Sequence, residues 1–251
     1  MKALAAFVLH RWDWSESSLI LDLFTREQGR IPVAAKGAKR PHSNFRAVLL
    51  PFQRIVVHLG RVPPGEGEVE IRNLRGAEWA GGGAMLGGAN LFAGFYLNEL
   101  VMKLVPRQDP HPELFDAYAS TIESLAGARD DAAAESALRA FELTLLRSLG
   151  LLPDLSVATL TQQPLQAGGR YAVHAEMGVA EPRAGDAALA GGTLVELQAA
   201  LQHGSLAALQ QACAAALPEL KNMLRTQLHY HVGSPVLRTR RVMVDAQNLE
   251  R

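Results

Sequence analysis

The sequence predicts an α+β chain: a small all-β barrel over residues 1–80, followed by a mainly α-helical part over 81–251. Three observations carry this. The first eighty residues contain short runs with period-2 alternation, separated by polar or Gly/Pro-containing turns. From Ala89 onward the apolar residues recur at helical spacing. The glycines at 81, 82 and 83 mark the change of period.

A first strand is predicted where Phe7 and Leu9 alternate with Val8 and His10, with a polar turn from Asp13 to Ser18. Leu19, Leu21 and Leu23 alternate with Ile20, Asp22 and Phe24, and Ile31, Val33 and Ala35 resume the pattern after a polar reversal containing Gly29. Glycine enters positive φ without a Cβ penalty, so this reads as a hairpin. A longer strand is expected over Val48–Leu59, with Pro51 pushing its start to an edge or bulge. After the turn from Gly60 to Gly65, Val69 and Ile71 between Glu68, Glu70 and Arg72 predict a last strand. Five short strands in this length fit an OB-fold barrel, with a small sandwich as the competing architecture.

The glycines at 81–83 could cradle phosphate, but they lack the Lys-Ser/Thr that ends a P-loop, so a linker or helix entry is expected. Leu91, Phe92, Phe95, Tyr96, Leu97, Leu100, Val101 and Leu104 cover nearly every side of a helix, which predicts a central buried one. Glu99 inside it reads as a structural hydrogen-bond or ion-pair residue. Pro106–Pro112 breaks that helix, and Pro112 and Glu113 open another with Leu114, Phe115, Tyr118, Ile122 and Leu125 on one stripe. A third is predicted over Ala132–Leu149, stopped by Gly150. Residues 155–190 have little helical period and read as an irregular or β insertion with a strand at 170–174. Helices are expected again from Thr193 to Gln202, from Leu206 to Ala216 and from Pro218 to His231, ending at Gly233.

Charge is segregated along the chain. The net charge is zero, yet residues 1–61 carry ten Lys/Arg against four acids, and residues 62–220 carry nine against nineteen. From Lys221 to Arg241 there are five basic residues and no acid, and none lies between Lys36 and Arg54 either. Like charges repel, so the element Lys36-Gly37-Ala38-Lys39-Arg40-Pro41 is either a solvated loop or a polyanion site. Arg26, Arg30 and Arg46 on and beside the hairpin would extend such a site. Trp12, Trp14 and Phe45 offer stacking surfaces nearby, or else pack the barrel end.

Catalytic and metal motifs are not found. His229 and His231 at i, i+2 point to different sides of a helix and make a poor metal pair. The single cysteine, Cys213, has no adjacent base and excludes an internal disulfide or a multi-cysteine zinc site. No apolar run is long enough to span a bilayer, and the short N-terminal apolar run is interrupted by His10 and Arg11, so a cytoplasmic chain without a targeting signal is expected.

The stretch AFVLHRWDWSESSLILDLFTREQGRIPVAAKGAKRP, then LLPFQ, resembles the N-terminal domain of the RecO family of bacterial recombination mediators. LFAGFYLNEL, PELFDAYASTIESLAG, ALRAFELTLLRSLGLLPDL and LRTQLHYHVGSPVLRTRRV resemble the same family. The resemblance implies an N-terminal OB-fold, a helical C-terminal domain and a non-enzymatic role without cofactor. It implies binding of single- and double-stranded DNA, strand annealing and, with RecR, loading of RecA onto DNA coated by single-strand-binding protein (SSB), hence a cytoplasmic, nucleoid-associated location. Lys36, Lys39 and Arg40 match the family's basic loop and take the DNA role first, with Arg11, Arg26, Arg30 and Arg46 behind them. The family also docks the acidic, apolar SSB tail. Arg139 is the candidate for its carboxylate, and Leu138, Phe115, Tyr118 and Leu145 are either apolar walls or helix–helix core. A four-cysteine zinc motif found in some members is excluded here. A protein-interaction adaptor and an RNA-binding OB protein are the alternatives.

Overall fold

The computed structural model describes residues 3–60, 71–81, 85–233, 237–239 and 242. Two compact units divide the chain, Met1–Ile122 and Glu123–Arg251.

The first unit contains a closed five-stranded barrel. Its strands are β1 (Ala3–Asp13), β2 (Leu19–Thr25), β3 (Gly29–Ala35), β4 (Ile55–Leu59) and β5 (Arg72–Trp79), in the order β1-β2-β3-β5-β4 with β4 returning to β1. All neighbours are antiparallel except β3 and β5. Period-2 alternation sends Leu4, Ala6, Val8, Leu21, Leu23, Val33, Ile55 and Val57 inward to form the core. Closure removes the free sheet edges that an open sheet of this size would expose.

The β2–β3 reversal shows why a glycine stands at 29. Its φ is +67°, and a Cβ there would lie 2.0 Å from the Asp109 carbonyl oxygen. The Thr25 hydroxyl closes the turn, donating to the Gly29 carbonyl at 2.8 Å and accepting from the Gln28 N–H at 3.1 Å.

The outward residues of β1 and β2 are apolar where helices cover them. Phe7 and Phe24 meet Phe115 and Tyr118 of α3 (Pro112–Ala126), with ring centroids 5.0 to 6.0 Å apart. Asn98 of α2 (Gly88–Leu104) joins these layers. Its Nδ2 donates to the Leu9 carbonyl at 2.9 Å and its Oδ1 accepts from the Tyr118 hydroxyl at 2.5 Å, all out of contact with water. Asn98→Ala strips the buried Leu9 carbonyl of this donor, so we expect a loss of about 1–3 kcal/mol in urea unfolding. Asn98→Asp, which keeps the size but removes the donor, should cost at least as much; a neutral result for both would show that the bond contributes nothing.

Three expectations need correction in this unit. The strand expected from Val48 begins only at Ile55, because Phe45–Val48 winds into the short helix α1 and Pro51 has no N–H to give a ladder. Phe45, Val48 and Leu49 instead pack onto the barrel core. The last strand lies further on, at Arg72–Trp79; of the residues expected to form it, Glu68, Val69 and Glu70 lie outside the described residues, as do Arg61 to Gly65 of the preceding turn. Helix α2 is not buried all round: Leu97, Leu100 and Val101 are buried, but Leu91, Phe92 and Tyr96 only partly, and Phe95 is exposed.

In the second unit, α4 (Asp131–Ser148) starts on the Asp130 carboxylate, which accepts the Ala133 N–H at 2.8 Å, and Gly150 at φ +69° follows its end. Against it pack α6 (Leu206–Ala214) and α7 (Leu217–Val232), and α5 (Gly191–His203) packs on α6. Phe141, Leu145, Leu209, Cys213, Leu220 and Leu224 are buried in this unit. The insertion forms a three-stranded sheet, β7-β6-β8, from β6 (Arg170–His174), β7 (Gly178–Ala180) and β8 (Ala188–Ala190). Gln227 of α7 donates to the Val173 carbonyl at 2.7 Å, and the Thr159 hydroxyl accepts from the Val179 N–H at 2.8 Å. Hydrogen bonds of this kind tie the insertion down; among the described residues no group of three His, Cys, Asp or Glu could hold a metal ion.

Candidate nucleic-acid interface

Strand direction decides which cations of the barrel share a surface. The registers Asp13↔Leu19 and Leu19↔Ala35 put the C-terminal end of β1, the N-terminal end of β2 and the C-terminal end of β3 at one rim. The parallel β3–β5 pair and the Ile55↔Trp79 register bring the end of β5 and the start of β4 to that same rim. It therefore carries Arg11, the turn after Asp13, the basic loop from Lys36 to Arg40, Arg46 on α1, and Arg54.

Lys39 fixes the loop to the neighbouring turn. Its N–H donates to the Ser17 carbonyl at 3.0 Å, and its Nζ lies 3.2 Å from both the Ser15 carbonyl and an Asp13 carboxylate oxygen. The loop itself is a tight, self-bonded coil, with Arg40 N–H on the Gly37 carbonyl at 3.1 Å and Gly37 at φ +73°. Lys36, Arg40, Arg46, Arg11 and Arg54 are exposed around it. Ala38, by contrast, is buried in the barrel core, so the loop is anchored by one apolar side chain while its cations face water.

Arg26 and Arg30 stand elsewhere. They flank the β2–β3 turn at the opposite rim, roughly 20 Å away along a seven-residue hairpin. Arg26 is paired with Asp116, its Nη2 lying 2.9 Å from the carboxylate. Arg30 is committed to the interior: its Nε is 3.2 Å from the buried Asp22 carboxylate, and its Nη1 donates to the carbonyls of Met102 and Val105. Burial raises the Asp22 pKa, while Arg30 and Arg107 pull it back down. Arg30 is thus a fold residue, held by the Met102 and Val105 carbonyls and the Asp22 carboxylate, and the seven cations predicted for DNA do not form one patch.

The five residues predicted for a protein tail are likewise divided. Phe115 and Tyr118 are fully buried in the first unit's aromatic cluster. Leu138, Arg139 and Leu145 belong to α4 in the second unit, where Leu145 is fully buried and Leu138 half-buried. The Arg139 Nη1 meets Glu142 at 2.8 Å, with the Glu142 side chain entirely enclosed.

Two rim residues carry no local sign of a site: Arg54 lies within the expected Val48–Leu59 strand, and Trp79 lies outside every expected element. The i, i+24 pairing of Ile55 with Trp79 has no local signature. Of the groups considered for chemistry, the Cys213 thiol is pushed up to about 12, first by burial and then by the nearby Glu142 charge, which keeps it protonated and unreactive near neutrality. His231 is lowered by burial.

Comparison with known proteins bears on both units. Residues 1–78 match the family described as Recombination protein O N terminal, and residues 87–241 match Recombination protein O C terminal. The chain is 51% identical over 246 residues to the DNA repair protein RecO of Polaromonas naphthalenivorans (strain CJ2), covering 97% of this chain and 96% of that protein. It is 51% identical over 246 residues, with the same coverage, to the DNA repair protein RecO of Verminephrobacter eiseniae (strain EF01-2). It is 49% identical over 254 residues to that of Variovorax paradoxus (strain S110), covering 97% of this chain and 96% of the relative. With a closed five-stranded barrel followed by a mainly helical part, and with both halves matched over nearly their full length, this chain belongs to the RecO family of DNA repair proteins.

Proposed function

We propose that this protein binds single- and double-stranded DNA at the cationic barrel rim, anneals complementary strands and, with RecR, promotes loading of RecA onto SSB-coated DNA. The observation that carries the reading is the rim itself: Lys36, Arg40, Arg46, Arg11 and Arg54 are exposed around a loop that Lys39 holds in place. Such a surface screens the repulsion between two phosphate backbones without reading either sequence, which is what annealing requires. Arg26 is a peripheral contributor at most, and Arg30 is left out of the proposed contact set because it is mostly buried and paired with Asp22. A protein of this kind works in the cytoplasm at the nucleoid; among the described residues no helix is long and apolar enough to cross a membrane.

The proposed docking site for the acidic SSB tail is the half-buried Leu138 with Arg139, whose Nε has no hydrogen-bond partner among the described residues. Phe115, Tyr118 and Leu145 are already consumed by packing. Annealing of complementary strands, naked and SSB-coated, tests the whole reading. We expect acceleration on both substrates, with loss of acceleration on coated strands when the SSB tail is deleted. Tail capture without annealing of naked strands would favour a pure adaptor, and stronger binding to RNA than to DNA in direct competition would favour the RNA-binding alternative.

A further inference from the structure

Tryptophan is the largest apolar side chain and is ordinarily highly buried, because an aromatic ring hides roughly 150–250 Å² from water. This chain has three, Trp12, Trp14 and Trp79. All are exposed, at 41%, 58% and 63%, whereas Phe7, Phe24, Phe52, Phe115, Tyr118 and Phe141 are buried. The topology places all three at the cationic rim. Trp12 is on β1 opposite Ile20, Trp14 follows it with its N–H on the Ser18 carbonyl, and Trp79 ends β5 opposite Ile55. Their backbones are fixed: Trp14 by that turn, and Trp79 by the next residue, whose N–H donates to the Arg54 carbonyl at 2.9 Å. The His10 ring stands edge-on to Trp12, with centroids 4.4 Å apart at 68°, which limits the motion of that indole. Phe45, the other aromatic near the basic loop, packs onto the barrel core and is not available.

We propose that Trp12, Trp14 and Trp79 are stacking platforms for unpaired bases, so that the rim prefers single-stranded DNA to duplex. The inference rests on the rim being the DNA site and adds what the DNA must look like. Exposed indoles among arginines and lysines match a strand that presents phosphates and open base faces together. A duplex offers the phosphates but keeps its base faces stacked on one another. The cations then set affinity for both forms, and the indoles set the difference between them. During annealing, bases leave the indoles as they pair, so the product is held less tightly than the reactant.

Because no other tryptophan is present, intrinsic fluorescence reads this rim directly. The test uses the full-length protein, an oligothymidine strand and a hairpin duplex of equal phosphate number, each titrated at fixed salt. We expect the single strand to quench the fluorescence and the duplex to quench it much less. Trp79→Ala, and separately Trp12→Ala with Trp14→Ala, should lower single-strand affinity by at least about fivefold per indole, with duplex affinity, followed by anisotropy, changed less than about twofold. Trp79→Phe retains a stacking face and should keep most of the affinity, which separates lost stacking from a damaged strand end. Equal losses on both substrates, or no loss on either, would overturn the inference. Lys36→Glu with Arg40→Glu is the companion arm. If it weakens both substrates while the tryptophan variants do nothing, the stacking inference fails alone; if it weakens neither, the rim assignment fails with it.

Discussion

Charge reversal at Lys36 and Arg40 together is expected to lower single-strand affinity by roughly two orders of magnitude near 0.1 M salt. Each phosphate contact on a single strand releases about 0.7 counterion, so at that salt each contributes roughly 0.7 log units. Losing two contacts removes about 1.4 log units, and the repulsion from two new carboxylates adds to it. Both side chains are exposed on the loop, and among the described residues neither has an ion-pair partner in the way that Lys39 has Asp13. The fold should therefore tolerate the change, as near-native circular dichroism would verify. Lys39→Glu is a less clean probe. It places a carboxylate beside Asp13 and frees the loop from Ser15, so it alters position as well as charge.

Arg139→Ala is expected to cost about 3–5 kcal/mol of stability, the largest loss from a single substitution argued for this chain. Glu142 lies one helical turn on from Arg139, fully enclosed, and the guanidinium 2.8 Å away offsets its charge. Removing the guanidinium takes away the positive charge nearest this enclosed carboxylate, which then stays ionised with less compensation or takes up a proton. Either choice opposes folding at neutral pH. Replacing both residues with apolar ones of similar size should recover much of the loss, since neither charge then has to be desolvated. Urea unfolding of the single and double variants checks this. A cost below about 1 kcal/mol for Arg139→Ala would mean that Glu142 finds another partner or water. The result also governs how tail binding is read, because an Arg139→Ala defect counts as lost recognition only in protein shown to be folded.

The first three strands were legible because their chemistry is local. Alternating leucines set the inward face, and Gly29 marks the reversal. The helices were legible from apolar spacing and from punctuation by Pro112, Gly150, Pro218 and Gly233. Strand β5 was not, since Asn73, Arg75, Gly76 and Glu78 dilute its pattern to two inward residues, Leu74 and Ala77, and its partners lie far off in sequence. The short helix at Phe45–Val48 is hidden because its own Phe45 and Val48, residue types typical of strands, serve the barrel core rather than a ladder.

The candidate site was half legible. Clustering of Lys36, Lys39 and Arg40 survives folding because they share one loop. Arg26 and Arg30 are only six to ten residues from Lys36 in sequence, yet the hairpin puts both at the rim opposite it. The ladder Asp22↔Pro32 also places Asp22 two residues from the partner of Arg30, a register that follows from the turn at Gly29 and explains the buried ion pair. Trp79 reached the rim only through the long-range β4–β5 pairing, which no local pattern announces.

The salt dependence of single-strand binding tests the central claim most directly. Log affinity plotted against log salt for the wild-type chain and for Lys36→Ala with Arg40→Ala should give straight lines, the variant's slope being shallower by about 1.4, two contacts at about 0.7 each. Parallel lines with equal affinity would mean that neither cation touches phosphate and that the barrel rim is not where this protein meets DNA.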